Sequence, residues 1–530
     1  MFYKRRKALF GLAIVSMSIV ALFGCTTKTI PPTAQVKPAV PTPDYWPTSG
    51  WKTSTPEAQG MDSQKLAEAV GYIIANRVNL HSFMIVRNGY VVLDAYFHPF
   101  EKGSFHDIAS CTKSITSTLT GIAIDRGYLK GVSQKLGEIF PFEGDMLQGE
   151  AKQSITLSDL LTMSSGLDCT KDGSDIRTNL AMLASPDWAR FSLDLPMAGK
   201  PGRRFDYCSS NSMILSAAIN ASSRMRADEF AKKFLFGPLG ITNFIWITDP
   251  AGLNNQGGGD MFLTPHDMAK IGLLFLQEGR WEGAQVVSKQ WVSEATTPRM
   301  KVRGLGLIDG YGYNWWIGSE GFYMAMGRGG QWIVVIPSMN IVMVFTGNSG
   351  SDGTSREKII KELVLPSIKA ASRIPENPEG VRRLGDAVRT ADAGSDVRLA
   401  TKPSTSLVAA EISGRMFILD RNLIGFDWMK FVFTPGSDTA TFTLHQERTG
   451  QTEIAVGLNG IGKKSSGRFG LPVYASGSWV KPNEFEISVD EVANINRWKI
   501  KAHWDGSGLK VDVANEDGLP PLSMYGSPSD

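Results

Sequence analysis

The chain has 530 residues, 42% hydrophobic and 20% charged, an ordinary globular composition with length enough for two or three domains. Its formal charge of +3 comes from four basic residues near the N-terminus, Lys4, Arg5, Arg6 and Lys7; the remainder is close to neutral, which removes the electrostatic case for a nucleic-acid partner. Four cysteines are too few to staple a chain of this size, so a hydrophobic core must hold it.

The basic start is followed by a charge-free apolar run from Ala8 to Phe23, sixteen residues, which is short for a membrane span and fits a secretory signal. It ends in Leu22-Phe23-Gly24-Cys25, which resembles the lipobox of bacterial lipoproteins. That resemblance implies cleavage after residue 24, acylation of Cys25 and a lipid-anchored place in the bacterial cell envelope. With Thr26 and Thr27 next, and no Asp, it favours the outer membrane over the inner one. Residues 25–50 are rich in Pro and Thr and read as an extended tether between membrane and domain.

The first packed unit spans 51–370. HSFMIVRNG and YVVLDAYF flank Asn88-Gly89, a hairpin signal. Helical patterns follow in the stretch after Ser110, in ITLSDLLTMSSG, in NSMILSAAINASSRM and in LTPHDMAKIGLLFLQEG. QWIVVIP and NIVMVFTGN then read as a second hairpin. Strands at both ends with helices between predict an α+β domain whose antiparallel sheet is built from both ends. Residues 371–405, polar and containing Pro and Gly, read as a linker. From 406 to 530 apolar and polar residues alternate between frequent turns, which predicts an all-β sandwich or barrel.

Ser-x-x-Lys occurs five times, and Ser110–Lys113 stands apart from Ser49–Lys52, Ser355–Lys358, Ser478–Lys481 and Ser507–Lys510. A serine hydroxyl is a poor nucleophile unless a nearby base takes its proton, and a lysine one helical turn along reaches it. Ser110 follows the loop-like EKGSFHD, and Ile115, Leu119, Ile122 and Ala123 mark a buried helical face that stops at Gly127. A serine opening such a helix also has free backbone N–H groups beside it, suited to a developing anion. Of the rivals, Ser49 lies in the tether, Ser478 and Ser507 lie among β-turns, and Ser355 opens SREKIIKEL, which reads as a charged surface cap.

ASCTKSIT resembles the nucleophile motif of penicillin-binding proteins and class C β-lactamases. In the same order, ITLSDLLTMSSGL, PGRRFDYCSSNSMILSAAI, GGGDMFLTPHDMAKIGLLFLQEGRWEG and MGRGGQWIVVIPSMNIVMVFTGN resemble later segments of that group, over roughly residues 80–350. Tyr207-Cys208-Ser209 and MLASPDWARFSLDLPM resemble the 6-aminohexanoate-oligomer hydrolase branch of that group, and ITLSDLLTMSSGL also resembles its esterases. The resemblance implies a β-lactamase/transpeptidase-like fold, with Ser110 acylated, Lys113 activating it and Tyr207 relaying protons. It also implies an oxyanion hole from the N–H groups of Ser110 and Gln331, and no metal or other cofactor.

Two departures bear on substrate. Tyr-x-Asn is replaced by Tyr207-Cys208-Ser209, so Ser209 would offer Lys113 a hydroxyl in place of an amide. Arg328-Gly329-Gly330 fills the slot of Lys-Thr/Ser-Gly, and Arg328 would bind a carboxylate of the substrate. The expectation is an envelope-anchored hydrolase of a small ester, amide or peptide. The alternatives are a DD-peptidase or β-lactamase and, in another class, a silent wall-binding lipoprotein. Cys111, Cys169 and Cys208 allow one disulfide at most and read as packing residues. His98 and His106 read as solvated loop residues, with lining of the pocket as the other reading, and Trp188, Trp315, Trp316 and Trp332 as core, with walling of an apolar pocket as the other reading. Gly-x-Ser-x-Gly and His-Glu-x-x-His are absent, which argues against an α/β-hydrolase and a zinc hydrolase.

Overall fold

The structure is a computed structural model. It describes residues 40–529 apart from 142–146, 319–320, 349–352, 395–405, 423, 447–449 and 516–520, and the side chains of 304 and 305. The signal, Cys25 and most of the tether lie outside the described residues. The last part of the tether packs: the Trp46 ring lies 5.0 Å from that of Trp281, and Tyr45 donates to the Gly89 carbonyl at 2.8 Å. Two aromatic side chains supply enough apolar area to bind this stretch to the surface, which the Pro/Thr content concealed.

Helix α1 (Ser63–Ala75), capped by Asp62, precedes the predicted hairpin, β1 (Leu80–Arg87) and β2 (Tyr90–Tyr96). Asn88 and Gly89 both take positive φ at its turn. The helical middle carries α2 (Cys111–Asp125), α3 (Asp175–Leu183), α4 (Ser209–Ser223) and α5 (Pro265–Leu276). Six strands follow: β3 (Met300–Leu305), β4 (Ile308–Tyr311), β5 (Trp316–Gly318), β6 (Tyr323–Gly327), β7 (Gln331–Ile336) and β8 (Ile341–Gly347). Among the described residues they form one sheet in the order β2-β1-β8-β7-β6-β5-β4-β3. The first hairpin and the last strands of the domain meet where β1 pairs antiparallel with β8, Phe83 opposite Phe345.

Every residue of β1 is buried, and alternate side chains enter two cores. Phe83 and Ile85 pack with Leu66 and Val70 of α1, whereas Met84 and Val86 join the core containing Ile115, Leu119 and the apolar face of α5. A sheet covered by helices on both faces explains a continuous apolar run where an open sheet would alternate.

The stretch read as a linker is in large part helix α6 (Pro378–Ala393), which packs on α1 and β2. Leu384, Ala387, Val388 and Ala391, spaced i, i+3, i+4, i+7, face the core. SREKIIKEL is likewise more than a charged cap, since its Ile359 and Ile360, with Val364 just beyond it, are buried in that core.

Beyond it lie β9 (Met416–Leu419), β10 (Phe426–Phe433), β11 (Thr439–Gln446), β12 (Gly450–Gly457), β13 (Lys463–Ser466), β14 (Pro472–Lys481), β15 (Glu484–Glu491), β16 (Asn496–Trp504), β17 (Leu509–Asn515) and β18 (Leu522–Pro528). The first strand β9 pairs with the last, β18, and a short parallel pairing of β12 with β14 closes the ring. The C-terminal part is therefore a closed all-β barrel around Phe431, Phe442, Phe485 and Trp504. No helix among the described residues is long and apolar enough to cross a membrane.

Candidate active site

Ser110 occupies the cap position of α2, after a turn in which Ala109 takes φ +46°. The Asp107 carboxylate accepts the Ala109 N–H at 2.7 Å and so shapes the turn from below. One turn along the helix, Lys113 is buried with its Nζ 3.0 Å from Ser110 Oγ. The same Nζ donates to the Gly258 carbonyl at 2.8 Å, a contact that side-chain patterns in the sequence do not reveal. Gly258 is held in turn, its N–H donating to Gln256 Oε1 at 2.6 Å.

Tyr207 precedes α4, and its ring centroid lies 5.0 Å from Lys113 Nζ. The ring stacks on Trp316 at 5.7 Å, so of the four tryptophans singled out Trp316 is the one against Tyr207; Trp188 and Trp315 are fully buried. Ser209 does not turn to Lys113. Its N–H and hydroxyl donate to the two oxygens of Asp175 at 2.8 and 2.9 Å, because α3 presents that carboxylate to the first turn of α4, where N–H groups lack helical partners. Asn211 also points elsewhere, accepting from Ser165 Oγ at 2.7 Å.

Gln331 lies beside the Ser110 turn: its carbonyl accepts from Cys111 Sγ at 3.1 Å, and its buried side chain bonds Arg328 O and Gly347. The end of β6 abuts the Ser110 turn so closely that a Cβ at Gly327 would stand 2.6 Å from Ile108 O and 3.1 Å from Ser110 N. Gly330 takes φ +91°, and a Cβ there would enter the Arg356 guanidinium. Gly329 packs against Ile495 of the barrel.

Arg328 departs from expectation. Its guanidinium donates to Ile495 O at 3.2 Å, in the barrel loop between β15 and β16, and reaches Asn496 Oδ1 at 3.4 Å, where β16 begins. The tail supplies acceptors that cation would otherwise seek in a ligand. The same loop accepts the Asp107 N–H at Ala493 O, 2.7 Å.

His106 is also corrected. It is fully buried, with Nε2 2.8 Å from His81 Nδ1 and Nδ1 2.8 Å from Asp107 O, and burial holds its pKa down at about 4. His98 is exposed, as expected. Burial pushes the Cys111 thiol up, which leaves it a packing residue. Cys169 and Cys208 form a disulfide. With Asp175 they are a grouping of metal-ligating side chains among the described residues, but the sulfurs are joined and both carboxylate oxygens are taken by Ser209.

The beta-lactamase family model matches residues 58–364, more than half of the chain. A 6-aminohexanoate-dimer hydrolase of Paenarthrobacter ureafaciens is 26% identical over 224 residues, 40% of this chain and 55% of that protein, so the chain spans about half the length of this curated relative. Among solved structures, a Bacillus anthracis chain described as "Putative 6-aminohexanoate-dimer hydrolase" superposes with a TM-score of 0.50 at 17% identity, covering 64% of this chain and 91% of its own. An octameric penicillin-binding protein homologue from Pyrococcus abyssi reaches a TM-score of 0.45 at 19% identity, over 88% and 100%.

Proposed function

The chain belongs to the beta-lactamase family, and from that premise we propose that it is a serine hydrolase of the bacterial envelope, cleaving a small ester or amide through an acyl-enzyme on Ser110. The observation that carries the reading is the placement of Lys113 Nζ, 3.0 Å from Ser110 Oγ and fixed from behind by Gly258 O. In the reaction Ser110 Oγ bonds to the carbonyl carbon as its proton passes to Lys113. Tyr207 relays a proton to the leaving alcohol or amine, and the C–O or C–N bond breaks. Water then attacks the acyl-serine, gives a proton back through the same pair and releases the acid. The N–H groups of Ser110 and Gln331 hold the oxyanion.

The engagement of Arg328 by the barrel favours uncharged esters and short amides over β-lactams and D-alanyl peptides, since that cation is already bonded within the chain. The aromatic pair Tyr207 and Trp316 suits a small apolar acyl group. The relative named a 6-aminohexanoate-dimer hydrolase supports cleavage of a short amide. Anchoring through an acylated Cys25 rests on the basic start, the apolar run and the Leu-Phe-Gly-Cys sequence.

Intact mass of the protein taken from bacterial membranes and treated with a fluorophosphonate tests both parts. Expected are a lipid adduct lost in Cys25→Ala and a phosphonate adduct lost in Ser110→Ala. Turnover of p-nitrophenyl esters should fall at least about a thousandfold in Ser110→Ala. A label on another residue, or turnover that survives this substitution, refutes the Ser110 mechanism; rapid acylation by penicillin would move the substrate class to β-lactams.

A further inference from the structure

The chain on either side of Tyr207 is tied to a single segment, residues 163–175. Before it, the Asp206 N–H donates to Met163 O at 2.7 Å. After it, Cys208 is bonded to Cys169, Ser209 gives both its N–H and its hydroxyl to Asp175, and Asn211 accepts from Ser165. The Tyr207 ring stacks on Trp316 and packs beside Lys113 and the core, contacts that leave its reach dependent on where its backbone is pinned.

The helix that begins at Asp175 also reaches Lys113. Asn179 sits one turn beyond Asp175 on α3, and its Oδ1 accepts from Gln256 Nε2 at 3.2 Å. Gln256 Oε1 accepts the N–H of Gly258, whose carbonyl accepts Lys113 Nζ. One short helix thus bears on both side chains that handle protons.

We infer that Asp175 and the Cys169–Cys208 disulfide are positioning residues for Tyr207, fixing through residues 208 and 209 the distance over which the proton is relayed. The inference rests on Tyr207 acting as that relay. A carboxylate at the start of α4 is well placed for it: it satisfies an N–H without a helical partner and lies at the positive end of the helix dipole. Misplacement of a reacting group by about 1 Å costs roughly a hundredfold in rate, so loosening either tie is felt in kcat before it is felt in binding.

The test uses the full chain with p-nitrophenyl acetate, in Asp175→Ala, Asp175→Asn and Cys169→Ser/Cys208→Ser. In Asp175→Ala, kcat should fall about 10- to 100-fold with KM within about threefold, and the basic limb of the kcat–pH profile should move. Asp175→Asn keeps an oxygen for the Ser209 N–H and should recover most of the loss. A dithiol reductant delivers two electrons and two protons to the disulfide and closes to its own cyclic disulfide. It should lower kcat reversibly in the wild type and leave the double serine variant, already slow, unchanged.

Wild-type kcat and pH profile in Asp175→Ala overturn the inference, as does a loss that simply follows Tm across the three variants. Either result leaves Ser110 as nucleophile untouched, because fluorophosphonate labelling is read on the same samples. A wild type that neither labels at Ser110 nor turns over the ester refutes the serine mechanism, and this inference with it.

Discussion

Asp107 has the Ser110 turn on one side and the barrel loop on the other, and its charge is costly there. Burial, with Asp260 and Glu491 nearby, raises its pKa to about 7 against the downward pull of the Ala109 N–H and Arg328. In the unfolded chain the same carboxyl ionises near 3.8. Between these values the unfolded state has shed the proton while the folded state keeps it, so stability falls as pH rises through the window. Asp107→Asn retains an acceptor for the Ala109 N–H and removes the slope. Its Tm, relative to wild type, should be higher at pH 8 than at pH 4 by the equivalent of a few kcal/mol, on the order of what this difference in pKa implies; an equal offset at both pH values would contradict the assignment. At this scale the meeting of Ser110 and Lys113 was legible from their spacing on one helix, and that of Tyr207 with them from the resemblance to the β-lactamase group. Gly258 was not, since its contribution is a carbonyl that every residue carries.

Helix α6 illustrates what is lost at the scale of elements. Glu379, Arg382, Arg383, Asp386 and Arg389 pair with one another on its exposed face, and this charge made the segment read as a linker. Surface pairs of this kind contribute little, because water and salt screen them and two long side chains must be ordered to form each. The stripe from Leu384 to Ala391 packed on α1 is the stronger cause of the helix. Leu384→Ala should therefore cost about 2–3 kcal/mol in urea unfolding while kcat on p-nitrophenyl esters stays near wild type. A neutral effect on stability would return α6 to the status of a connection. The hairpins at Asn88-Gly89 and Asn340 were readable for the opposite reason: their turns are dictated locally, by residues that tolerate positive φ.

Across the whole molecule the barrel meets the beta-lactamase-family unit beside Ser110. Arg328 bonds the loop of Ile495 and Asn496, Ala493 accepts from Asp107, and Phe469 lies edge-on to Phe262 at 6.0 Å. If Arg328 serves this junction and not a substrate carboxylate, Arg328→Ala lowers Tm and shifts KM for neutral and carboxylate-bearing p-nitrophenyl esters alike. A rise in KM confined to the carboxylate-bearing ester would restore the cation to substrate recognition.

The sequence by itself determined the α+β class, the all-β tail, and the order of the segments that resemble the β-lactamase group, because periodicity, turn residues and helix-opening positions act over a few neighbours. The tertiary structure alone decided the partners of Arg328, Ser209 and His106. Each could bond several groups, and the one it meets depends on which distant residue the packing of sheet, helices and barrel brings within hydrogen-bonding distance.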